Sequence, residues 1–484
     1  VSDTRGLLDR ISAFRQRLDA TPQLIPDAFP VDADSASVVS EAETFRMSLK
    51  RIAGSEPEAI VKPRPQQLQF TERAQRLLAR TKELLDRQRK FTDEPLFTAF
   101  ASAGKPDALV DYHRETVGVL DSIVRLAQAF PDSAGAQLKM CEGLTGLVAV
   151  VMDRLAVQER ILKQRRTDVE RIDRLAGFFA SIHCNLPTTL ETVAALAEEI
   201  LEDARLAKPI RFVSAPVDSA HGPGGTVAFP VPARFVAAHA INVAQVIARV
   251  VPFDYEWAAR PLAPVVAALI MDCGMVTVPS ALLMKTDPLT ADERRVLEAH
   301  PKLGAELLLW RFPNLAGPLA AAIATHHERA DGTGYPGGLA GSQVPPLGRL
   351  LRVADVYAAL NEDRPHRSAA DPRAALTEVL MAAEQGEVDR DFAEYLLNLS
   401  YYPVNTVVEL TDGRVAFVVA NHPNRLDPRT PGRPVVAVLT DAEGGMLPRV
   451  EHLDLSAADH GSIVKAVPAA RRRELLGSRY PDLV

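Results

Sequence analysis

From Thr4 to about Leu206, apolar positions recur at the three-to-four-residue spacing of amphipathic helices, among many Arg, Glu and Asp and few glycines. This pattern predicts an all-helical N-terminal domain over residues 1–207. Prolines punctuate it. Pro22 to Pro30 separates the first helix from the next, Pro57, Pro63 and Pro65 bracket a loop before FTERAQRLLARTKELLDRQRKF, and Pro106 and Pro131 mark further breaks. Leu144 to Leu206 is long and charged, with an interruption around Asn185–Pro187. Its VQERILKQRRTDVERIDRL stretch sustains no clear heptad repeat, so it reads as a bundle helix with a solvated face rather than a coiled signalling helix.

Between Lys208 and Pro232 the chain turns rich in Gly, Pro and β-branched residues, which sets a linker at 208–232. Helical periodicity resumes from Ala233 to about Leu399 and predicts a second helical domain over 233–401. From Tyr402 onward, NTVVELTDG, RVAFVVANH and RPVVAVLTDAEGG alternate apolar and polar residues between Asp-Gly and Gly-Gly turns. A small β-rich region at 402–484 follows, closed by a short helix around Ala469–Leu476. The fold class expected is mainly α, with this β-rich appendage at the end.

Composition narrows the function. The chain has 484 residues, 47% apolar and 24% charged, which suits a folded protein of several domains. Its net charge of −7 offers no globally basic surface, so nucleic acid is not an expected partner. Cys141, Cys184 and Cys273 form no CxxC pair, which excludes a cysteine zinc site or a disulfide framework and points to a reducing cytoplasm. The longest apolar runs, around Leu144–Met152 and Leu262–Met271, fall short of the ~20 residues of a membrane span, and the N-terminus lacks the order of a secretory signal. No membrane span is expected.

The candidate chemistry lies after Pro232. His239, Asp272, His300, the adjacent His326 and His327, Asp355 and His366 fall in helical segments, and imidazoles with carboxylates suit first-row divalent metals. A carboxylate between two ions can bridge them. The most specific string is HHERADGTGYPGG, two histidines followed by a glycine-permitted loop able to approach a phosphate closely.

Here the chain resembles the HD-GYP family, metal-dependent phosphodiesterases acting on cyclic di-GMP that carry HHExxDGxGYP. His326, His327, Glu328, Asp331, Gly332, Gly334, Tyr335 and Pro336 supply every fixed letter. The resemblance runs from about Pro232 to Tyr402, through PLAPVVAALIMDCGMVTVPSALLMKTDPLTADERRVLEAHPKLGAELL and LLRVADVYAALNEDRPHRSA. It implies an all-helical domain with metal ligands at His239, Asp272, His300, His326, His327 and Asp355. The resemblance also implies that Asp272 is the bridging and catalytic carboxylate. Asp331, Gly332, Gly334, Tyr335 and Pro336, with Arg364 and Arg367, fall on the ligand side, the arginines placed to meet a phosphate. The implied cofactor is Fe or Mn, one or at most two ions, and the implied ligand is cyclic di-GMP. A protein partner would meet the GYP loop or the N-terminal helices.

The chain departs from the family where it matters. Met271 stands for the histidine of the His-Asp doublet, and a thioether is a poor ligand for Mn²⁺ or Fe²⁺. Met275 stands for the lysine three residues after the aspartate, and it can neither hold a phosphate nor protonate a leaving oxygen. Phe235 replaces the acidic residue four before His239, which removes a third metal. Asp272, His300, His326 and His327 would keep one metal position, leaving His239, Asp272 and Asp355 for the other.

The expectation is therefore a degenerate HD-GYP protein of bacterial signalling, metal-binding and regulatory, with weak or no hydrolysis. The alternatives are an active phosphodiesterase giving pGpG or GMP, and a structural scaffold, which would have no need to gather such residues. Cys273 reads as a core thiol, His366 as a stacking or surface group, and Trp257 and Trp310 as helix-packing residues. His113, His183, His221, His422, His452 and His460 default to surface or capping roles.

Overall fold

The structure is a computed structural model that describes residues from 65 to 476 with interruptions, the longest at 216–231 and 421–431. The first expected helix, the Pro22–Pro30 loop, most of the linker, and the breaks at Pro106 and Pro131 lie outside the described residues, as do His221, His366 and His422.

The chain divides into two compact units. The first holds residues up to Arg166 together with Leu447–Val450 and Ala469–Val484, and the second holds Thr167–Met446 and Glu451–Pro468. In the first unit, helices α1 (Pro65–Thr92), α2 (Pro95–Ser102), α3 (Ala108–Gln128) and most of α4 (Ala134–His183) pack together. Leu77 and Leu84 of α1 meet Leu144, Val148, Val151 and Leu155 of α4 in one buried cluster. Those α4 positions repeat at intervals of three and four, which keeps one stripe facing the neighbours.

The second unit begins with the rest of α4, which ends at His183. Asn185 follows with φ of 54°, so the helix stops where the sequence shows its interruption. Next come α5 (Glu191–Arg205), α6 (Ala233–Val250), α7 (Leu262–Ile270), α8 (Ser280–Leu283), α9 (Ala291–Glu298), α10 (His300–Arg311), α11 (Gly317–Thr325), α12 (Pro346–Leu360), α13 (Pro372–Glu384) and α14 (Arg390–Tyr395). Helix α9 starts on a capping box in which the Thr290 hydroxyl accepts from the Glu293 amide and Glu293 accepts from the Thr290 amide. Helix α6 is buried nearly all round. With the short 3-10 turn after it, Ala233–Phe253 is long and apolar enough to pass for a membrane span. However, 78% of its most apolar window lies inside the fold, where it forms the centre of the bundle.

The C-terminal strands β1 (Val407–Leu410), β2 (Val415–Ala420), β3 (Val435–Thr440), β4 (Met446–Asp454) and β5 (Ile463–Ala466) form one antiparallel sheet in the order β4-β3-β2-β1-β5. Register places Val408 opposite Ala416 and Phe417 opposite Ala437. A short helix, α15 (Ala469–Leu476), follows. The chain is thus mainly α with a small sheet near its end.

Two expectations fail at single residues. Trp310 is 60% exposed on α10 and packs no helix pair, whereas Trp257 is buried against Phe392 at 5.9 Å. His113 is buried rather than on the surface, with Nδ1 3.0 Å from Gln158 Oε1 and its ring stacked on Phe91.

Candidate metal centre

The site begins with a close approach of backbones. Gly274 lies in the 3-10 turn Cys273–Thr277 that follows α7, and a Cβ there would stand 2.2 Å from the His300 carbonyl oxygen and 2.8 Å from the Gly304 amide. Only glycine lets the start of α10 press so tightly on this turn. That contact delivers His300 to Asp272, with Nε2 3.1 Å from Oδ1. Cys273 turns its thiol toward the Gly304 carbonyl at 3.6 Å and is buried, as a core thiol should be.

His326 emerges at the end of α11, its Nε2 3.4 Å from the same Asp272 oxygen. The other carboxylate oxygen, Oδ2, lies 3.7 Å from Nε2 of His239 on α6. Asp272 therefore faces His300 and His326 with one oxygen and His239 with the other. His239 Nε2 in turn is 2.9 Å from Asp355 Oδ1 on α12, and His327 Nδ1 is 3.6 Å from Asp355 Oδ2. All the ligand positions read from the sequence, His239, Asp272, His300, His326, His327 and Asp355, converge on one place.

These residues fit a divalent ion on the structure's own terms. The Nδ1 atoms of His300 and His326 are spent on the carbonyls of Leu297 (2.7 Å) and Ile323 (2.6 Å). That fixes the tautomer with Nε2 unprotonated and aimed inward. Both Nε2 atoms are buried without a hydrogen-bond partner, a costly state that a cation relieves. Ligand atoms of Asp272, His300, His326 and His327 lie within 4.8 Å of one another. Nitrogen donors with carboxylate oxygen suit first-row transition ions.

Burial disfavours a charged Asp272, but the facing imidazoles of His300 and His326, when they carry a proton at Nε2, outweigh it and hold its carboxyl well below the usual range. Asp355 is also held down, against burial, by His239 and His327. Burial, followed by the neighbouring His326, drives the His327 pKa well below 6.5, which leaves a neutral imidazole. Burial opposes a charge on His239 too, yet the Glu362 and Asp355 carboxylates at its two nitrogens raise it to about 10, so an ion taking Nε2 would have to displace a proton there.

Sequence reasoning missed the supports of this centre. Both oxygens of Glu362, just beyond α12, lie 2.9 Å from His239 Nδ1, and Asn242 Nδ2 donates to Glu362 at 2.7 Å. Arg352, one turn before Asp355, donates from Nη1 to His327 Nδ1 at 3.1 Å and lies 3.4 Å from Asp355 Oδ2. The signal for Arg352 was its i, i+3 spacing to a ligand on one helix face. For Glu362 no local signal exists, because its partner lies 123 residues away.

The GYP loop is held from within. Glu328 accepts from the amides of Gly337 (2.5 Å) and Leu339 (3.0 Å). Asp331 accepts from the Thr333 hydroxyl and amide and pairs with Arg329, and these contacts hold it at about 2. Gly332 has φ of +79°, and a Cβ on Gly334 would collide with the backbone of Arg329 and Glu328. The Tyr335–Pro336 peptide bond is cis. The loop lays the Tyr335 ring on His327, with centroids 4.7 Å apart and planes 25° apart, while burial pushes the phenol pKa up. Arg364 sits 3.6 Å from Glu362, and Arg367 donates to the carbonyls of Ala359 and Leu360 at the end of α12. Met271 is wholly buried in the apolar core, with Met275 packed against that core.

Residues 230–392 match the family described as HD domain, and residues 407–474 match the KOW domain associated with HD domain. The chain is 36% identical over 157 residues to a cyclic di-GMP phosphodiesterase of Pseudomonas aeruginosa, covering 32% of this chain and 37% of that protein. It is 41% identical over 110 residues to a cyclic di-GMP phosphodiesterase response regulator of Xanthomonas campestris, covering 23% of this chain and 29% of that protein. A 3'3'-cGAMP-specific phosphodiesterase of Vibrio cholerae is 34% identical over 133 residues, covering 27% of this chain and 25% of that protein. The chain thus spans well under half the length of each of these relatives.

Proposed function

Residues 230–392 are an HD domain of the HD-GYP family, and from that premise we propose that this chain is a metal-binding cyclic di-GMP receptor with weak or no hydrolysis. The observation that carries the reading is the pair Met271 and Met275, both apolar and lodged in or against the core beside Asp272.

The ligand set supports ion binding. His300, His326, His327 and Asp272 would hold one ion, and His239, Asp272 and Asp355 are what remains for a second. Fe or Mn suits this mixture. An ion held there supplies Lewis-acid charge for a phosphoryl oxygen. The chain's own groups do the rest of the binding. Arg352 and Arg364 bring guanidinium charge to the edge of the centre for a phosphodiester. Tyr335 keeps its proton and remains a donor.

Chemistry is where the site falls short. No imidazole precedes Asp272 to complete the second ion position, and no amine follows it to protonate a departing oxygen. General acid catalysis of that kind is worth about 10²–10⁴-fold. The free thiols Cys141, Cys184 and Cys273 accord with action in the cytoplasm, which is part of this proposal.

The test uses the full chain loaded anaerobically with Fe²⁺ or Mn²⁺. Cyclic di-GMP is expected to bind without release of pGpG or GMP, and Met271→His with Met275→Lys is expected to raise turnover by about 10² or more. Turnover by the natural chain that disappears in Asp272→Ala would replace this reading with an active phosphodiesterase.

A further inference from the structure

Beside the metal centre, within the second unit, a cleft of about 660 Å³ opens between α13 and β5 over the outer face of α12. Its walls include Arg352 of α12, Arg373, Glu378 and Met381 of α13, and Val464 and Lys465 of β5. We infer that this cleft seats one guanylate half of a cyclic dinucleotide whose phosphodiester lies at the metal centre, and that Glu378 selects guanine. The inference rests on the proposed function and names the ligand's base.

The argument begins with continuity. Arg352 belongs to both places: its Nη1 touches His327 and Asp355, and its side chain lines the cleft. Its Nε is buried and finds no hydrogen-bond partner among the described residues. The far end of the cleft leans on the GYP loop, because Glu387 pairs with Arg329 at 3.0 Å and Arg329 also holds Asp331. A ligand wider than the metal centre would reach this cleft past Arg352, the residue common to both.

Charge and shape then narrow the occupant. Arg352, Arg373 and Lys465 come from three separate elements and outnumber the two carboxylates of the lining, Glu378 and Glu387, with Arg352 shared with Asp355 and Lys465 with Glu409; cations so placed suit phosphate. Met381 and Val464 give apolar surface for the face of a base. The volume falls within the ~300–1,000 Å³ of small-molecule sites. Glu378 is exposed on α13 and makes no ion pair among the described residues. A carboxylate only accepts hydrogen bonds. Guanine's Watson–Crick edge offers two adjacent N–H groups to it, whereas adenine places a lone pair there, which a carboxylate repels.

Calorimetric titration of the metal-loaded full chain with cyclic di-GMP and with cyclic di-AMP tests this. The natural chain is expected to prefer cyclic di-GMP, and Glu378→Gln should cut that preference roughly tenfold with metal content unchanged. Lys465→Glu should weaken both dinucleotides alike. Glu384→Gln, exposed on the same helix and paired with Arg390 at 3.3 Å, should change neither. Glu378→Gln and Lys465→Glu proteins that titrate like the natural chain would overturn the cleft assignment and leave the receptor reading standing. A metal-loaded natural chain that binds neither dinucleotide would overturn both.

Discussion

At the scale of single residues, the orientation of His239 depends on a side chain that does not face the ion position. Glu362 takes the Nδ1 edge of the ring with both oxygens, and Asn242 fixes Glu362 while bonding the Val213 backbone through its own amide. The opposite nitrogen is thereby turned toward Asp272 and Asp355. Glu362→Gln is expected to lower metal affinity about 10–100-fold, read by competition with a chelating dye. An unchanged affinity would show that α6 alone sets the ring. His113 poses a separate residue-scale question. Burial lowers its pKa from 6.5, partly opposed by Gln158, so it folds neutral. The unfolded chain gains its proton near pH 6.5 while the folded one does not, and the stability present above pH 6.5 is lost as pH falls toward the folded value. The urea midpoint of the natural chain should therefore drop between pH 7.5 and 5 by more than that of His113→Gln. Equal drops would rule out this histidine as the cause.

At the scale of elements, the site is a product of two glycine contacts and a loop. Gly274 admits the start of α10, and Gly304 returns the favour, since a Cβ there would stand 3.1 Å from the Gly274 amide and 3.2 Å from the Cys273 sulfur. Gly274→Ala should cost about 1–3 kcal/mol by forcing these backbones apart, with a lower melting temperature and weaker metal retention together. Lower stability with full metal retention would mean that His300 reaches Asp272 by another route. These elements were largely legible beforehand. Helical spacing anticipated the break after His183 and the resumption at Ala233, and β-alternation anticipated β1, β2 and β3. β4 and β5 were not anticipated individually. His326 and His327 were legible because a short motif carries them, and His239, Asp272, His300 and Asp355 because the longer resemblance on both sides of it does. Their supports were not, because Glu362 and Arg352 are defined by partners that only the packed bundle brings near. His113 was misjudged for the same reason: its burial is a property of α1, α3 and α4 together.

At the scale of the whole molecule, the ligand residues are far apart in the chain. His239 and Asp355 are separated by 116 positions, and the intervening ligands come from the turn after α7, the start of α10 and the end of α11. An ion gripping them acts as a reversible crosslink that closes several loops at once and favours the folded chain by mass action. If such an ion is held, its withdrawal is expected to let the segment between α6 and α12 open more often, and each opening would expose peptide bonds to proteases. The cellular lifetime of this protein would then report metal supply, separately from anything it senses through a nucleotide.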